Sequence, residues 1–385
     1  MVKVLTKTGL VIVTLLLAVT VRAELLIPAP PDLPATGWIM MDAATGQVLA
    51  EHNADERLPP ASLTKLMTSY IIAKELSEGK ASLDDMVPVS VKAWRTGGSR
   101  MYIQEGTEVR LEDLQRGMII QSGNDASVAI AEYVAGSESG FADVMNQQAR
   151  LLGMENSHFV NATGWPAEGH YSSARDMALL MRAMIANFPE QYALYSEREF
   201  EYGGIRQQNR NTLLRTDSTV DGGKTGWTDE AGYCLVASAQ RDDMRLITVV
   251  MGTASATARA NASRTLLSYG FRYYETARIL SAGEVLSEGN RVWYGQQRYL
   301  DLAAPEDVTT TIPRGSRDEL TTEVDIEPTL KAPIEKGQQL GVARVFYQDK
   351  LLQEIPVVAA EAVPQSGLFS RLWDAITLFF INLFS

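Results

Sequence analysis

Three short motifs constrain the fold of this chain more than any other feature of its sequence. They are Ser62-Leu63-Thr64-Lys65, Ser122-Gly123-Asn124 and Lys224-Thr225-Gly226. The first begins a predicted helix, the second directly precedes one, and the third lies on a predicted strand. Each motif alone has an ordinary explanation: an exposed helix lysine, a pair of helix-capping residues or a β-turn. If the three act together, the fold must bring a helix start, a loop and a strand to one place.

The first motif supplies a nucleophile and a base for acyl transfer. Ser62 and Lys65 are three residues apart at a helix start, so their side chains share one face within hydrogen-bonding reach. The serine also lies at the positive end of the helix dipole, which favours a developing anion. The lysine accepts a proton only when neutral, which costs about 4–5 kcal/mol at pH 7 for an ordinary lysine. Burial and a nearby second cation can lower a lysine pKa enough to offset that free energy. We expect Lys224 to be that cation.

The other two motifs complete such a site. We expect Ser122 to relay a proton between either lysine and the leaving amine, and Asn124 to orient the base lysine and a substrate amide. The third motif lies on a strand, where Gly226 leaves room for a peptide-like substrate beside the backbone. The order S-x-x-K, S-x-N, K-T-G favours a serine acyl-transfer site that works without histidine.

The composition argues against several other kinds of site. The single cysteine, Cys234, allows no internal disulfide and no cysteine-based metal site, and its apolar surroundings indicate a packed strand residue. The histidines His52, His158 and His170 show no metal-ligand spacing and none adjoins a motif, which disfavours a zinc peptidase or a Ser-His-Asp enzyme. A formal net charge of −12 with no Lys/Arg-rich stretch disfavours nucleic acid as a partner. We therefore expect neither a metal nor another cofactor.

Residues 1–23 have the features of a secretory signal peptide. Lys3 and Lys7 precede an apolar run over 10–21, and Val21-Arg22-Ala23 has the small-x-small form of a cleavage site. The alternative, an uncleaved membrane anchor, needs about 18–20 apolar residues, which is more than this run contains. Residues 24–36 are rich in proline and are predicted to form an extended lead-in.

The rest of the chain is predicted to form two domains and a tail. In residues 37–279, a hairpin, a helix over 62–76, a mostly helical stretch to about residue 187 and an antiparallel meander make the first domain α+β. Residues 280–362 contain short strands separated by turns, which predicts a small all-β domain without catalytic residues. Residues 363–385 form a tail whose helical periodicity collects its polar side chains in one arc. An amphipathic helix lying in the membrane surface is favoured over one docked on its own protein, because the tail is too short and interrupted to span a bilayer.

From residue 38 to the C-terminus the chain resembles the low-molecular-mass penicillin-binding proteins that act as D-alanyl-D-alanine carboxypeptidases, the group of penicillin-binding proteins 5 and 6. The segments that carry the resemblance are Ala61-Ser62-Leu63-Thr64-Lys65, Ile120-Gln121-Ser122-Gly123-Asn124-Asp125-Ala126, Tyr171-Ser172-Ser173-Ala174-Arg175-Asp176, Asp221-Gly222-Gly223-Lys224-Thr225-Gly226 and Gly270-Phe271-Arg272. The β-rich second domain and the amphipathic tail match the layout of that family. The resemblance implies a penicillin-binding, β-lactamase-like transpeptidase domain, in which helices flank an antiparallel sheet, followed by the all-β domain.

The resemblance also implies a reaction and a set of roles. Ser62 attacks the carbonyl between the two D-alanines of a peptidoglycan stem peptide, releases the last one and leaves an acyl-enzyme that water hydrolyses. β-Lactams resemble that dipeptide and act as inhibitors by trapping the serine. The oxyanion hole is made by the backbone N–H groups of Ser62 and Trp227, and Arg259 joins Thr225 in holding the terminal carboxylate of the substrate. By the same resemblance we expect export to the periplasmic face of the bacterial inner membrane, peripheral attachment through the tail, and a role in cell wall biogenesis and cell shape.

Three features depart from the usual pattern of the family. Trp227 stands where the family carries histidine, which keeps the backbone donor but removes any part that a histidine side chain plays in deacylation. The segment between the first two motifs is shorter around residues 96–98, so we expect a trimmed loop at the edge of the site. The tail has a single cation, Arg371, so apolar burial has to hold it on a membrane.

Two alternative functions share parts of this pattern. A class A β-lactamase needs a carboxylate that activates the deacylating water, and residues 161–170 offer only Glu168, outside the expected pattern. A wall-binding scaffold with a lapsed enzyme domain would not need the intact catalytic set, which is Ser62, Lys65, Ser122, Asn124 and Lys224. The sequence therefore predicts a serine-type D-alanyl-D-alanine carboxypeptidase.

Overall fold

The structure, a computed structural model, describes residues 27–384. The predicted signal peptide and the first residues of the lead-in lie outside the described residues. Two folded units follow one another along the chain, and a helix ends it. The strands of the first unit are β1 Gly37–Asp42, β2 Val48–His52, β3 Met86–Pro88, β4 Glu108–Arg110, β5 Glu199–Tyr202, β6 Ile205–Gln208, β7 Val220–Thr228, β8 Gly232–Arg241 and β9 Met244–Thr253. Its helices are α1 Lys65–Ser77, α2 Val91–Arg95, α3 Leu111–Ile120, α4 Asn124–Ala135, α5 Glu138–Leu151, α6 Ala174–Asn187, α7 Pro189–Tyr192, α8 Leu213–Thr216 and α9 Ala256–Tyr273.

The first unit is built on an antiparallel sheet with helices on both faces. Its strand order is β2-β1-β9-β8-β7. Ile39 and Met41 of β1 enter the core formed with the main group of helices, whereas Trp38 and Met40 enter a second core with α9. This alternation follows from the period of two in a strand, and burial on both faces explains why the strands read as apolar runs. The predicted α+β architecture is confirmed.

The helix predicted over residues 62–76 is divided in the structure. Ala61–Thr64 forms a 3-10 turn, and α1 begins at Lys65. The apolar side chains of Leu66, Met67, Tyr70 and Ile71 are buried, and those of Ile72 and Ala73 are buried as well. Helix α1 is therefore a core helix rather than an amphipathic one. The stretch predicted as mostly helical also contains the small hairpin β3–β4.

The second unit is all-β, as predicted. Its strands are β10 Tyr274–Leu280, β11 Val285–Trp293, β12 Tyr299–Ala303, β13 Val308–Pro313, β14 Leu320–Ile326, β15 Leu330–Lys331, β16 Gln339–Tyr347 and β17 Lys350–Ala359. Strand β10 pairs with β13, and the others form a sheet in the order β14-β16-β17-β12-β11-β15. Because β10 follows α9 directly and pairs with β13, it joins the second unit, although the sequence placed the domain boundary after residue 279.

A buried carboxylate joins the two units. Asp42 lies at the end of β1 and is fully buried. One of its oxygens accepts hydrogen bonds from the backbone N–H groups of Ala44 (2.8 Å) and Thr45 (3.2 Å). The other accepts from the hydroxyls of Thr276 and Thr311, which belong to β10 and β13. An ionised carboxylate only accepts hydrogen bonds, so these four donors satisfy it and fix the second unit against the first.

The tail forms helix α10, Leu368–Phe384, as the periodicity predicted. One side docks on the second unit: Asp374 accepts a hydrogen bond from the Tyr294 N–H at 2.8 Å and lies 3.9 Å from Arg291. Leu378 is also buried. Most of its other large apolar side chains are exposed, namely Leu368, Phe369, Leu372, Trp373, Ile376, Phe379 and Phe380. Within residues 27–384, no helix has the length and apolar character needed to cross a membrane.

Candidate active site

Ser62 lies in the 3-10 turn that precedes α1, and the backbone around it is unusually crowded. Ala61, directly before it, has a φ of +47°, a left-handed conformation that residues other than glycine rarely adopt. A Cβ atom added to Gly164 would lie 1.7 Å from the Ala61 carbonyl oxygen, and one added to Gly226 would lie 3.2 Å from the Ser62 nitrogen. Glycine at both positions lets a loop and strand β7 approach the serine closely.

The amine of Lys65 meets three partners. Its Nζ lies 2.8 Å from Ser62 Oγ, 2.7 Å from Asn124 Oδ1 and 2.7 Å from the Thr163 carbonyl oxygen. An amide oxygen and a backbone carbonyl oxygen only accept hydrogen bonds. A neutral amine therefore gives its two N–H groups to Asn124 and Thr163, and its lone pair points to the Ser62 hydroxyl. This is the arrangement that a general base requires.

Burial is the main reason that Lys65 is able to be neutral. Burial, with the positive charge of Arg210 as the second cause, lowers the pKa of Lys65 to about 7, and the Asp125 carboxylate acts in the opposite direction. Burial and the charges of Lys65, Arg210 and Arg259 hold the pKa of Lys224 well below its usual range. Repulsion between the two buried amines is mutual, so the pair resists carrying two charges at once. We predicted Lys224 as the second cation that lowers the Lys65 pKa, but the cation that acts on Lys65 is Arg210, which the sequence did not reveal.

Ser122 and Lys224 form a second pair beside the first. Lys224 Nζ donates to Ser122 Oγ at 2.8 Å and to the Thr225 carbonyl oxygen at 3.0 Å. Ser122 is buried and has a φ of +66°, a strained conformation of the kind that clusters at functional sites. Among the described residues, Ser122 Oγ bonds to Lys224 and makes no hydrogen bond to Lys65. Of the two lysines that the sequence left open, Lys224 is its direct partner.

Asn124 connects the base lysine to the loop that edges the site. Its Nδ2 donates to the Gly97 carbonyl oxygen at 2.8 Å, while its Oδ1 faces the lysine. The next residue, Asp125, is buried and accepts hydrogen bonds from the backbone N–H groups of Met101 (3.0 Å) and Tyr102 (2.8 Å). The start of α4 thus fixes both the lysine and this loop.

Two cavities meet at Ser62. The larger one, about 600 Å³, has Tyr102, Trp165 and Trp227 among its lining residues, and we name it the aromatic cavity. The other, about 480 Å³, is lined by Arg210, Arg215 and Arg259, with no carboxylate among the described residues that line it, and we name it the arginine cavity. The arginine cavity suits an anion, whereas the aromatic cavity also has side chains of both charges in its lining, namely Arg100, Arg210, Asp229 and Glu230.

The structure places Arg259 and Thr225 in the arginine cavity together with Ser62 and Ser122. Arg259 donates to the Gly226 carbonyl oxygen at 2.8 Å, and its guanidinium lies 5.5 Å from the centroid of the Tyr233 ring. These contacts hold the arginine against β7 with the guanidinium facing the cavity.

The side chain of Trp227 is 52% exposed and lies against Tyr233, with ring centroids 5.7 Å apart. It lines both cavities. An indole offers one N–H donor and no acceptor, so it cannot take a proton as a histidine would. The backbone N–H of Trp227, predicted as an oxyanion donor, does not depend on the side chain.

Some residues of the site carried no signal that we used. Arg210 lies outside the three motifs, and Thr163 contributes a backbone carbonyl, which every residue has. The sequence could have indicated a structural role for Asp125, because an acidic residue in the first turn of a helix interacts favourably with the helix dipole. His170 adjoins no motif in the sequence, yet in the fold its Nε2 lies 2.8 Å from the Oγ1 of Thr64 within the first motif.

Comparisons with known proteins show to which family the chain belongs. The profile of the D-alanyl-D-alanine carboxypeptidase family matches residues 25–255, and that of the penicillin-binding protein 5 C-terminal domain matches residues 274–365. The chain belongs to the D-alanyl-D-alanine carboxypeptidase family. D-alanyl-D-alanine carboxypeptidase DacC of Escherichia coli is 45% identical over 362 residues, which cover 92% of this chain and 90% of that protein.

Solved structures extend the likeness to three dimensions. Penicillin-binding protein 5 from Haemophilus influenzae matches with a TM-score of 0.82 at 39% identity, over 88% of this chain and 100% of that one. Penicillin-binding protein D2 from Listeria monocytogenes, solved in the ampicillin-bound form, matches with a TM-score of 0.58 at 31% identity, over 63% of this chain and 100% of that one. The predicted penicillin-binding fold and the predicted activity, serine-type D-alanyl-D-alanine carboxypeptidase, are confirmed.

The charge of Arg210 should shift the pH dependence of acylation, which burial of Lys65 mainly sets. Since the base is active when neutral, the acylation rate should rise with pH through about 7, the pKa of Lys65. Arg210→Gln removes a repulsive charge, so the pKa of the lysine rises and the midpoint should move up by roughly half a pH unit at low salt. The measurement is the rate of labelling by a fluorescent penicillin between pH 5 and 9. Arg206→Gln, a change at an exposed arginine, is the control; an unshifted Arg210→Gln profile would contradict the assignment.

Gly164→Ala should damage the site through a steric clash. The new Cβ would lie 1.7 Å from the Ala61 carbonyl oxygen, so the nucleophile turn has to move, and acylation should fall by about 100-fold. Gly169→Ala is the matched control, because Gly169 also has a positive φ but its Cβ would meet no atom closer than 3.7 Å. The Gly169→Ala variant should lose only about 1 kcal/mol of its free energy of unfolding, as measured in urea. Equal acylation in the two variants would show that the close approach does not matter.

Proposed function

We propose that this carboxypeptidase removes the terminal D-alanine from peptidoglycan pentapeptides through an acyl-enzyme on Ser62. The observation that carries the proposal is the Lys65 amine, which lies 2.8 Å from Ser62 Oγ and has its other two partners restricted to accepting hydrogen bonds. A buried base poised near neutral pH beside a serine hydroxyl is the core of an acyl-transfer site.

In the acylation step, Ser62 Oγ attacks the carbonyl carbon of the penultimate D-alanine while Lys65 takes its proton. The backbone N–H groups of Ser62 and Trp227 stabilise the negative charge that develops on the carbonyl oxygen. When the C–N bond breaks, Ser122 gives its hydroxyl proton to the leaving amine and recovers one from Lys224. D-Alanine leaves, and an ester remains on the serine.

Deacylation is the same sequence run backwards, with water in place of the amine. Water attacks the ester carbonyl and passes a proton through Ser122 to Lys224. The C–O bond to Ser62 breaks, and Lys65 returns the proton to the serine oxygen. Each lysine therefore ends in the protonation state in which it began.

The different linings of the two cavities favour one orientation of the substrate across Ser62. We place the terminal carboxylate in the arginine cavity, where Arg259 and Thr225 hold it and Arg210 adds attraction. The rest of the stem peptide then extends from Ser62 along β7, the edge strand of the sheet, toward the aromatic cavity. A β-lactam has a carboxylate next to its reactive amide, so it fits the same orientation and acylates Ser62.

The placement of Glu168 disfavours the β-lactamase alternative. This carboxylate is exposed and lines neither cavity, so it has no position from which to activate a deacylating water at Ser62. The intact contacts among the catalytic residues disfavour a lapsed, scaffold-only domain. We therefore favour carboxypeptidase action in wall maturation, with a role in cell wall biogenesis and cell shape.

Ser62→Ala should abolish D-alanine release from a pentapeptide, because no other described hydroxyl bonds to the Lys65 amine. The measurement is mass spectrometry of the products of a muropeptide that ends in two D-alanines, alongside fluorescent penicillin labelling. The fold should be kept, which thermal unfolding checks. D-Alanine release by the variant at the wild-type rate would refute the assignment, and an unlabelled wild-type enzyme would favour the scaffold alternative.

We propose that the mature enzyme starts at Glu24 after export and lies on the periplasmic face of the inner membrane, attached through α10. Two features support this attachment: Asp374 and Leu378 dock on the second unit, and the large apolar side chains elsewhere on the helix are exposed. Exposed apolar area of this extent is costly in water and favours an interfacial position.

The double change Trp373→Glu and Phe379→Glu should weaken sedimentation with phospholipid vesicles by at least about tenfold, because each removes a large side chain from the interface. Deletion from Gly367 should release the protein into the soluble periplasm on fractionation. Asp374→Ala is the matched control, since it loosens docking but keeps the apolar surface. Unchanged vesicle binding by the double variant would contradict the attachment.

A further inference from the structure

His170 bridges two segments of the site that the chain does not join directly. Its ring is 7% exposed and lies edge-on to Phe159, with centroids 5.9 Å apart. One ring nitrogen, Nδ1, accepts the backbone N–H of Val160 at 3.0 Å. The other, Nε2, lies 2.8 Å from the hydroxyl of Thr64 in the nucleophile turn. A single imidazole thus contacts both the loop that starts at Val160 and the turn that carries the serine.

The hydrogen bonds determine the protonation of the ring. A backbone N–H only donates, so Nδ1 must carry a lone pair, and the proton of the neutral ring lies on Nε2 and is donated to Thr64 Oγ1. Burial, with His158 as a second cause, lowers the pKa of His170 to about 4, which keeps the ring neutral at physiological pH.

The loop that His170 holds delivers a partner to the base. Asn161 Oδ1 accepts the backbone N–H groups of Thr163, Gly164 and Trp165, which makes the loop a compact unit. The Thr163 carbonyl oxygen at its centre lies 2.7 Å from Lys65 Nζ. Two contacts help to fix this carbonyl relative to the serine: Thr68 of α1 donates to the neighbouring Ala162 carbonyl oxygen at 2.8 Å, and His170 ties the start of the loop to the nucleophile turn.

We infer that His170 is a positioning residue for acyl transfer, which holds the Thr163 carbonyl on the Lys65 amine by bridging Val160 and Thr64. The inference rests on the proposed function of Ser62 and Lys65. Without the carbonyl, one N–H of the neutral amine has no fixed acceptor, and the lone pair is no longer directed at the Ser62 hydroxyl. The effect falls on the chemical step rather than on substrate binding, because His170 lines neither cavity.

The experiment measures acylation of the full-length enzyme by a fluorescent penicillin over a range of concentrations, so that the maximal rate constant and the half-saturating concentration are separated. His170→Leu should lower the rate constant by about 10- to 100-fold and leave the half-saturating concentration within about twofold. His170→Gln should stay within about threefold of the wild type, since its amide oxygen can accept from Val160 and its NH2 group can donate to Thr64.

Two further variants separate positioning from general stability. Thr64→Val removes the other end of the bridge and should reproduce the loss in His170→Leu, and the double variant should be no worse than the more impaired single variant, because both remove the same contact. His158→Leu is the matched control: His158 Nδ1 contacts the Gly169 carbonyl at 2.7 Å but not the nucleophile turn, so its acylation should be unchanged.

The inference fails if His170→Leu acylates at the wild-type rate, if the glutamine variant is no better than the leucine variant, or if the losses in the Thr64 and His170 variants multiply. Should His170→Leu not give a cooperative thermal transition, the comparison of His170→Gln with Thr64→Val decides. A wild-type enzyme that takes no label would instead overturn the proposed function, which keeps the two failures distinct.

Discussion

A primary amine buried among acceptors is the constraint on which the rest of this structure depends. Burying a charged lysine is unfavourable, so burial lowers the pKa of Lys65 and makes its neutral form accessible near pH 7. A neutral amine has one lone pair and two N–H groups, so its direction is set only if two acceptors hold those groups. Asn124 and the Thr163 carbonyl do this, and the remaining direction is that of Ser62.

Several distant segments of the first unit are needed to place these acceptors and the serine around Lys65. The nucleophile turn, the start of α4, the loop after Val160 and strand β7 come from distant parts of the chain, and two glycines let them pack without intervening side chains. The same concentration of positive charge serves two ends. It lowers the pKa values of Lys65 and Lys224, and it lines the arginine cavity with groups suited to a carboxylate. The electrostatic cost of grouping these cations is therefore tied to both binding and catalysis.

The sequence predicts those parts of the structure that depend on the pattern of side chains within a short segment. The antiparallel meander, the helix after Gly123 and the amphipathic tail all follow from side-chain periodicity and are present in the structure. The 3-10 turn at Ser62 was not predicted, because the residues packed closely against it, Gly164 and Gly226, lie far away in sequence.

Long-range contacts explain the other differences. Strand β10 was assigned to the first domain because its partner β13 is remote in sequence, and pairing is what places it in the second unit. Arg210 and His170 belong to no motif, so only the fold brings them to the lysines and to Thr64. The periodicity of the tail put Asp374 among its polar residues, but no pattern could tell that it faces the protein rather than water.

The meeting of two cavities at Ser62 bears on the order of events during turnover. In the proposed orientation, the freed amino acid occupies the arginine cavity once the amide is cleaved, while the acylated remainder lies toward the aromatic cavity, which also borders Ser62. Departure of the small product vacates the side from which the hydrolytic water must arrive. In this orientation the water enters through the cavity that the released amino acid has left, and the acyl part of the substrate stays on Ser62 until hydrolysis frees it.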